Sequence, residues 1–88
     1  MTSTRKESIL LVEKNPDIYD LIANQALIPL GYRVFQAENA GNGIKKAIDI
    51  APDVIIANIT LPGLSGKDLL VALTSQGMDA PVIVVADE

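Results

Sequence analysis

The chain has 88 residues and a net charge of −4, is 49% hydrophobic and 20% charged, and contains neither cysteine nor histidine. These values predict one small globular domain. The lack of cysteine and histidine excludes disulfides, thiolate and imidazole catalysis, and the commonest zinc ligands. The excess of acidic over basic residues argues against a nucleic-acid-binding surface. The first apolar run, residues 9–12, is too short for a signal peptide or a membrane span, so we expect a cytoplasmic protein.

The start of the chain predicts a buried strand followed by an amphipathic helix. Residues 1–7 are polar and are expected to be flexible. The uninterrupted apolar run 8–12 is typical of a strand buried on both faces in a parallel sheet. Asn15 followed by Pro16 predicts a helix start, with a side-chain cap and a proline at the first helical position. The apolar residues of this helix recur at helical spacing and are expected to face inward: Ile18, Leu21, Ile22 and Ala26.

A second strand and a second helix follow. Pro29 is expected to end or kink the first helix at the residue before it, and Gly31 to stop it. Polar and apolar residues alternate over 32–37, which predicts a half-exposed edge strand. A loop at 38–42 is then expected to lead into a helix at 43–50.

The second buried run, residues 53–58, ends at a polar residue, Asn58. Ligands in open α/β sheets lie beyond the carboxyl ends of the strands, so Asn58 is the first candidate site residue. Ser65 is expected to cap a helix at 66–76, and the β-branched run 81–86 predicts a fourth, buried strand. The inward positions of the third helix are leucines: Leu69, Leu70 and Leu73. Alternating strands and helices predict an α/β fold with a central parallel sheet and right-handed crossovers.

Several short segments together resemble the receiver domain of response regulators. This module of two-component signalling accepts a phosphoryl group from a histidine kinase on an aspartate. The resemblance covers nearly the whole chain, in order and with sensible spacing. It is carried by ILLVE at 9–13, NP at 15–16, GY at 31–32, AEN at 37–39, PDVII at 52–56, LPGLSG at 61–66, LL at 69–70 and PVI at 81–83.

The resemblance implies a flavodoxin-like three-layer sandwich with strand order 2-1-3-4-5 and a site between strands 1 and 3. It implies an aspartate nucleophile at the end of strand 3, and an acidic pair after strand 1 that holds Mg²⁺ with it. A Ser or Thr ending strand 4 and a Lys after strand 5 would bind the phosphoryl group. Since the sequence stops after strand 4, we expect a receiver-like domain at 8–88 that is truncated there, without helix 4, strand 5 and helix 5.

The residues at the site positions depart from the family pattern. The nucleophile position is Asn58, and a carboxamide is a poor nucleophile. The acidic pair is Glu13 and Lys14, and the hydroxyl position is Ala86, which offers no side-chain hydrogen bond. The three acidic positions of the family therefore carry no net charge here. We expect Mg²⁺ binding to be weak or lost, and no other cofactor.

Two readings of this site stay open from the sequence. Asn58 is either an amide that holds the site in one unphosphorylated state or a remnant satisfied by loop hydrogen bonds. Lys14 either places its ammonium in the vacated metal position or faces solvent. Ala86 is expected to be a plain buried alanine, and neither Thr60 nor Ser65 is a good substitute phosphoacceptor.

The sequence favours a degenerate receiver that acts without phosphorylation as a protein-interaction or regulatory module and is not an enzyme. Its expected partner is a protein, namely a signalling kinase, an output domain or another receiver. A homodimer is possible because strand 4 would present an unprotected edge; nucleic-acid and membrane contacts are not expected. The alternatives are a receiver phosphorylated on another residue and a flavodoxin-like domain that binds a small ligand. The glycine-free loop after strand 1 provides no phosphate cradle and disfavours the second alternative.

Overall fold

A parallel sheet forms the centre of the structure, a computed structural model that describes residues 7–58, 66–77 and 80–85. Its four strands are arranged in the order β2-β1-β3-β4, which confirms the predicted order of these strands. All five residues of β1 are buried, because β1 lies between two neighbours. The strands are β1 (Ser8–Val12), β2 (Arg33–Ala37), β3 (Val54–Asn58) and β4 (Val82–Val85).

One hydrophobic core joins the sheet to two helices, α2 (Ala40–Ile50) and α3 (Gly66–Ser75). Leu69 and Leu73 of α3 are buried, as predicted, whereas the side chain of Leu70 lies outside the described part of the structure. Burying a leucine side chain contributes about 1.5–3 kcal/mol, so this face supplies much of the driving force for folding. The buried members of the core are Leu10, Val12, Ala37, Ala40, Ala47, Ile55, Ala57, Leu69 and Leu73.

The first helix, α1 (Pro16–Ile22), begins where the sequence predicts. The side-chain oxygen of Asn15 accepts hydrogen bonds from the backbone N–H groups of Asp17 at 2.8 Å and Ile18 at 3.2 Å. The helical segment ends at Gly31, whose φ of 100° is readily adopted only by glycine. Between α1 and that glycine the helical geometry changes twice, to a π turn at Ala23–Leu27 and a 3₁₀ turn at Ile28–Leu30.

The predicted inward face of this helix is partly wrong. Leu21 is 58% exposed and Ala26 is exposed, while Ala23 is fully buried. Ile18 and Ile22 are half-buried. A π turn is wider than the 3.6-residue repeat on which the prediction rested. The small Ala23 therefore takes the buried position, while Leu21 and Ala26 are left at the surface.

Helix α2 starts three residues earlier than predicted. The side-chain oxygen of Asn39 accepts the N–H of Asn42 at 2.8 Å, and this cap starts the helix at Ala40 despite the glycines that follow. Gly43 is buried, and a Cβ there would lie 3.0 Å from Cγ2 of Val12. This close approach of α2 to β1 explains a glycine inside the helix.

Strand β4 forms at the predicted position, but its predicted burial is wrong. Ile83 is 52% exposed and Val84 is 41% exposed, because β4 pairs with β3 on one side and is an edge strand of the described sheet. β2 is the opposite edge, as its alternating pattern predicts. Among the helices that the structure describes, none is long and apolar enough to cross a membrane.

Candidate functional site

The carboxyl ends of β1 and β3 bring two sequence-predicted site residues together. Val12 and Ala57 are partners in the parallel register, so the next residues, Glu13 and Asn58, lie side by side. Glu13 is 3% exposed and Asn58 is 5% exposed. The side-chain amide nitrogen of Asn58 donates a hydrogen bond to Oε1 of Glu13 at 3.1 Å.

The orientation of the Asn58 amide follows from the chemistry of its partner. An ionised carboxylate only accepts hydrogen bonds, so the nitrogen of the carboxamide, and not its oxygen, must face Glu13. A hydrogen bond to a charged group contributes roughly 1.5–3 kcal/mol, and it offsets part of the cost of burying the carboxylate. The two residues therefore form a stable buried pair.

Glu13 is held by three different parts of the fold. Its second carboxylate oxygen, Oε2, accepts the backbone N–H of Asn15 at 3.1 Å. Its own N–H donates to the carbonyl oxygen of Ala37, the last residue of β2, at 2.9 Å. The sequence predicted Asn15 as a helix cap but gave no indication of this second contact, which depends on the burial and orientation of Glu13.

Lys14 is exposed, although its neighbour Glu13 is buried. Within the described residues, the two side chains form no ion pair. This arrangement favours the solvent-facing alternative for Lys14 over an ammonium placed in the position of a metal ion. Of the other sequence-predicted residues, Ala86, Thr60 and Ser65 lie outside the described part of the structure.

A cleft of about 440 Å³ opens between the end of β2 and helix α2. The ammonium of Lys46 donates to the carbonyl oxygen of Gln36 at 2.6 Å and thereby ties α2 to β2. Lys45 and Lys46 at the cleft are exposed, and Glu38 offsets one of their two positive charges. No motif in the sequence indicates this cleft, which is lined by Gln36, Ala37, Glu38, Asn42, Lys45 and Lys46.

Comparison with protein families gives one match over most of the chain. A family model described as "Response regulator receiver domain" matches residues 9–88. The chain is also 38% identical over 80 residues to Protein PilH of Pseudomonas aeruginosa. That match covers 88% of this chain and 64% of PilH. It is 31% identical over 81 residues to a nitrate/nitrite response regulator protein homolog of Haemophilus influenzae, covering 91% of this chain and 39% of that protein. The chain thus spans about two fifths to two thirds of these relatives.

Solved structures of a response regulator and of a signal receiver domain superimpose on most of this chain. The response regulator TrrA of Thermotoga maritima, crystallised in complex with Mg²⁺ and BeF, superimposes with a TM-score of 0.83 at 30% identity, covering 91% of this chain and 69% of TrrA. The signal receiver domain of an HD domain-containing protein of Pseudomonas fluorescens gives a TM-score of 0.85 at 28% identity, covering 96% of this chain and 61% of that one. The flavodoxin-like fold predicted from the sequence is confirmed.

Proposed function

The chain belongs to the response regulator receiver domain family, and we propose that it is a receiver domain that acts without phosphorylation. The observation that carries this proposal is the buried pair of Glu13 and Asn58, joined at 3.1 Å. Asn58 occupies the position at the end of β3 where the family pattern has its aspartate nucleophile.

The chemistry of the pair supports the loss of phosphotransfer. An aspartate forms an acyl phosphate by attack of a carboxylate oxygen on phosphorus, and a carboxamide is a much weaker nucleophile. The amide nitrogen of Asn58 is engaged with Glu13, and both carboxylate oxygens of Glu13 accept hydrogen bonds. We therefore propose that this pair has no catalytic activity and holds the carboxyl ends of β1 and β3 together.

The same contacts make the site a poor match for Mg²⁺. This ion requires several hard oxygen ligands in near-octahedral geometry. Glu13 supplies one carboxylate, and a metal ion would have to displace the hydrogen bonds from Asn58 and from the N–H of Asn15. Lys14, at the second acidic position of the family pattern, is exposed and brings a positive charge to this edge of the sheet. We propose that the domain does not use Mg²⁺.

In the absence of phosphotransfer, the function left to a receiver domain is binding another protein. A crystal structure contains TrrA in complex with the histidine kinase ThkA of Thermotoga maritima, and TrrA is 30% identical to this chain. We propose that this chain likewise binds a protein partner, through a conformation that does not depend on a phosphoryl group. A cytoplasmic location and the absence of nucleic-acid contact stay predictions from the sequence.

The decisive experiment exposes the protein to Mg²⁺ and acetyl phosphate and follows its intact mass, with TrrA as the positive control. We expect no phosphoryl adduct on the unchanged protein, and an adduct once Asn58→Asp, Lys14→Asp and Ala86→Thr are combined in a complete receiver domain that includes strand 5. The matched control carries only Lys14→Asp and Ala86→Thr and is expected to stay unmodified. An adduct on the unchanged protein would overturn the proposal, and mapping it would identify a receiver phosphorylated on another residue.

A further inference from the structure

We propose that Glu13 is a positioning residue that couples position 58 to the first turn of helix α1. This inference rests on the proposed function, because it says what an unphosphorylated site does for the rest of the domain. Its basis is a continuous chain of hydrogen bonds from the end of β3 to the N-terminus of α1. Each bond in the chain joins residues that the structure describes.

The first step is the geometry of the Glu13 carboxylate. One oxygen accepts the side-chain amide of Asn58 and the other accepts the backbone N–H of Asn15, each at 3.1 Å. The two oxygens belong to one rigid planar group, so a rotation that releases one donor also moves the other. The backbone of Glu13 is fixed separately through its N–H bond to Ala37, which restricts the carboxylate to side-chain rotations.

The second step is the role of Asn15 in the helix. Its N–H is bound by Glu13, its side-chain oxygen accepts the N–H groups of Asp17 and Ile18, and its carbonyl accepts the N–H of Tyr19 at 2.9 Å. Three atoms of one residue thus organise the first turn. A shift of Asn15 changes all of these contacts together.

The third step is the weakness of α1 without this cap. The α-helical part has seven residues, none of them buried, and it continues through the π and 3₁₀ turns to Leu30. A first turn without a buried side chain has little packing to hold it, so capping hydrogen bonds contribute a larger share of its order. The first turn of α1 therefore depends strongly on Asn15, and Asn15 in turn is held by the carboxylate that also binds Asn58.

Loss of the Asn58 donor leaves one oxygen of a buried carboxylate without this partner. Such a group is costly, and the side chain relieves the cost by rotating toward water or another donor. That rotation releases the N–H of Asn15. The residue at position 58 therefore influences the order of the first turn of α1 through the Glu13 carboxylate, which bonds to both Asn58 and Asn15.

Amide hydrogen exchange measured by NMR tests this coupling in the folded protein. In Asn58→Ala, we expect exchange of the Asp17 and Ile18 amides to rise about tenfold more than exchange of the core strand amides, which reports global opening. The matched control is Asn39→Ala, which removes the cap of α2. That variant is expected to accelerate exchange at Asn42 and to leave Asp17 and Ile18 unchanged.

A second variant keeps the test decisive if Asn58→Ala does not fold. Glu13→Ala removes both acceptor oxygens, so it is also expected to accelerate exchange selectively at Asp17 and Ile18. The coupling is refuted if either folded variant changes these amides only as much as the core amides. A phosphoryl adduct on the unchanged protein overturns the proposed function alone, so the two failures are distinguishable.

Discussion

Introducing a carboxylate at position 58 is expected to destabilise the folded protein in the absence of metal. Asn58→Asp replaces the amide nitrogen, 3.1 Å from Oε1 of Glu13, by an oxygen that carries negative charge. At this separation, two unit charges repel by about 5 kcal/mol with an effective dielectric constant of 20. Rotation of the side chains and uptake of a proton relieve part of this energy. We expect a net loss of ~2–4 kcal/mol in the free energy of unfolding at pH 7.

The pH dependence of this loss has a definite sign. Repulsion raises the pKa of the carboxyl pair in the folded state above the values near 4 of the unfolded chain. The folded variant then binds more protons than the unfolded variant between these pKa values. Its stability relative to the unchanged protein therefore rises as the pH falls from 7 toward 4, and the difference between the two proteins narrows there.

Urea unfolding followed by circular dichroism measures these free energies, with EDTA or with Mg²⁺. A pair of carboxylates provides ligands for Mg²⁺, so we expect the ion to recover part of the stability of Asn58→Asp and to leave the unchanged protein unaffected. The neutral control, Asn58→Ala, removes the hydrogen bond without adding charge and is expected to lose about 1–3 kcal/mol at any Mg²⁺ concentration. Equal stability of Asn58→Asp and the unchanged protein in EDTA would refute the electrostatic reasoning.

Two further substitutions test local features of the fold. Gly43→Ala improves helix propensity by at most about 1 kcal/mol but places a Cβ 3.0 Å from the Val12 side chain, so we expect a net destabilisation of ~1–2 kcal/mol in urea unfolding. The same change made in a Val12→Ala protein is expected to cost less. A Gly43→Ala variant that is more stable than the unchanged protein would contradict the packing explanation. The side-chain hydrogen bond from Asn24, followed by that from Gln25, lowers the pKa of Asp20. Asn24→Ala is expected to raise this pKa toward its ordinary value in an NMR titration, and an unchanged titration would show that the contact does not form in solution.

The sequence predicts the sheet more accurately than the helices because the strand signals are local. The apolar runs at 8–12 and 53–58 are bounded by polar residues or proline, and all four strands formed where they were expected. The start of α2 was missed, because two glycines suggested a loop while the side chain of Asn39 provides the cap. The exposure of Leu21 was also missed, since no feature of the sequence signals the π turn that follows α1.

At the site, the sequence predicts position but not orientation. Parallel pairing places the carboxyl ends of β1 and β3 at one edge, so the proximity of Glu13 and Asn58 follows from the fold. The fold does not determine which of Glu13 and Lys14 turns inward, because adjacent residues after a strand can point either way. The contact between Glu13 and the N–H of Asn15 depends on that choice and becomes visible only in the structure.

The charges of this edge explain why the pair suits a structural role. In a site with several carboxylates, a cation must offset their mutual repulsion before the strand ends can approach. Here the amide of Asn58 supplies a neutral hydrogen-bond donor to Glu13. Because this donor belongs to the same chain, it cannot dissociate as a bound cation can. A single change of Asn58 to aspartate removes that donor and adds repulsion, while the neighbouring Lys14 contributes no carboxylate. Recovery of a complete metal site and of phosphotransfer therefore requires several substitutions together, and the single change is expected mainly to cost stability, of which Mg²⁺ restores only part.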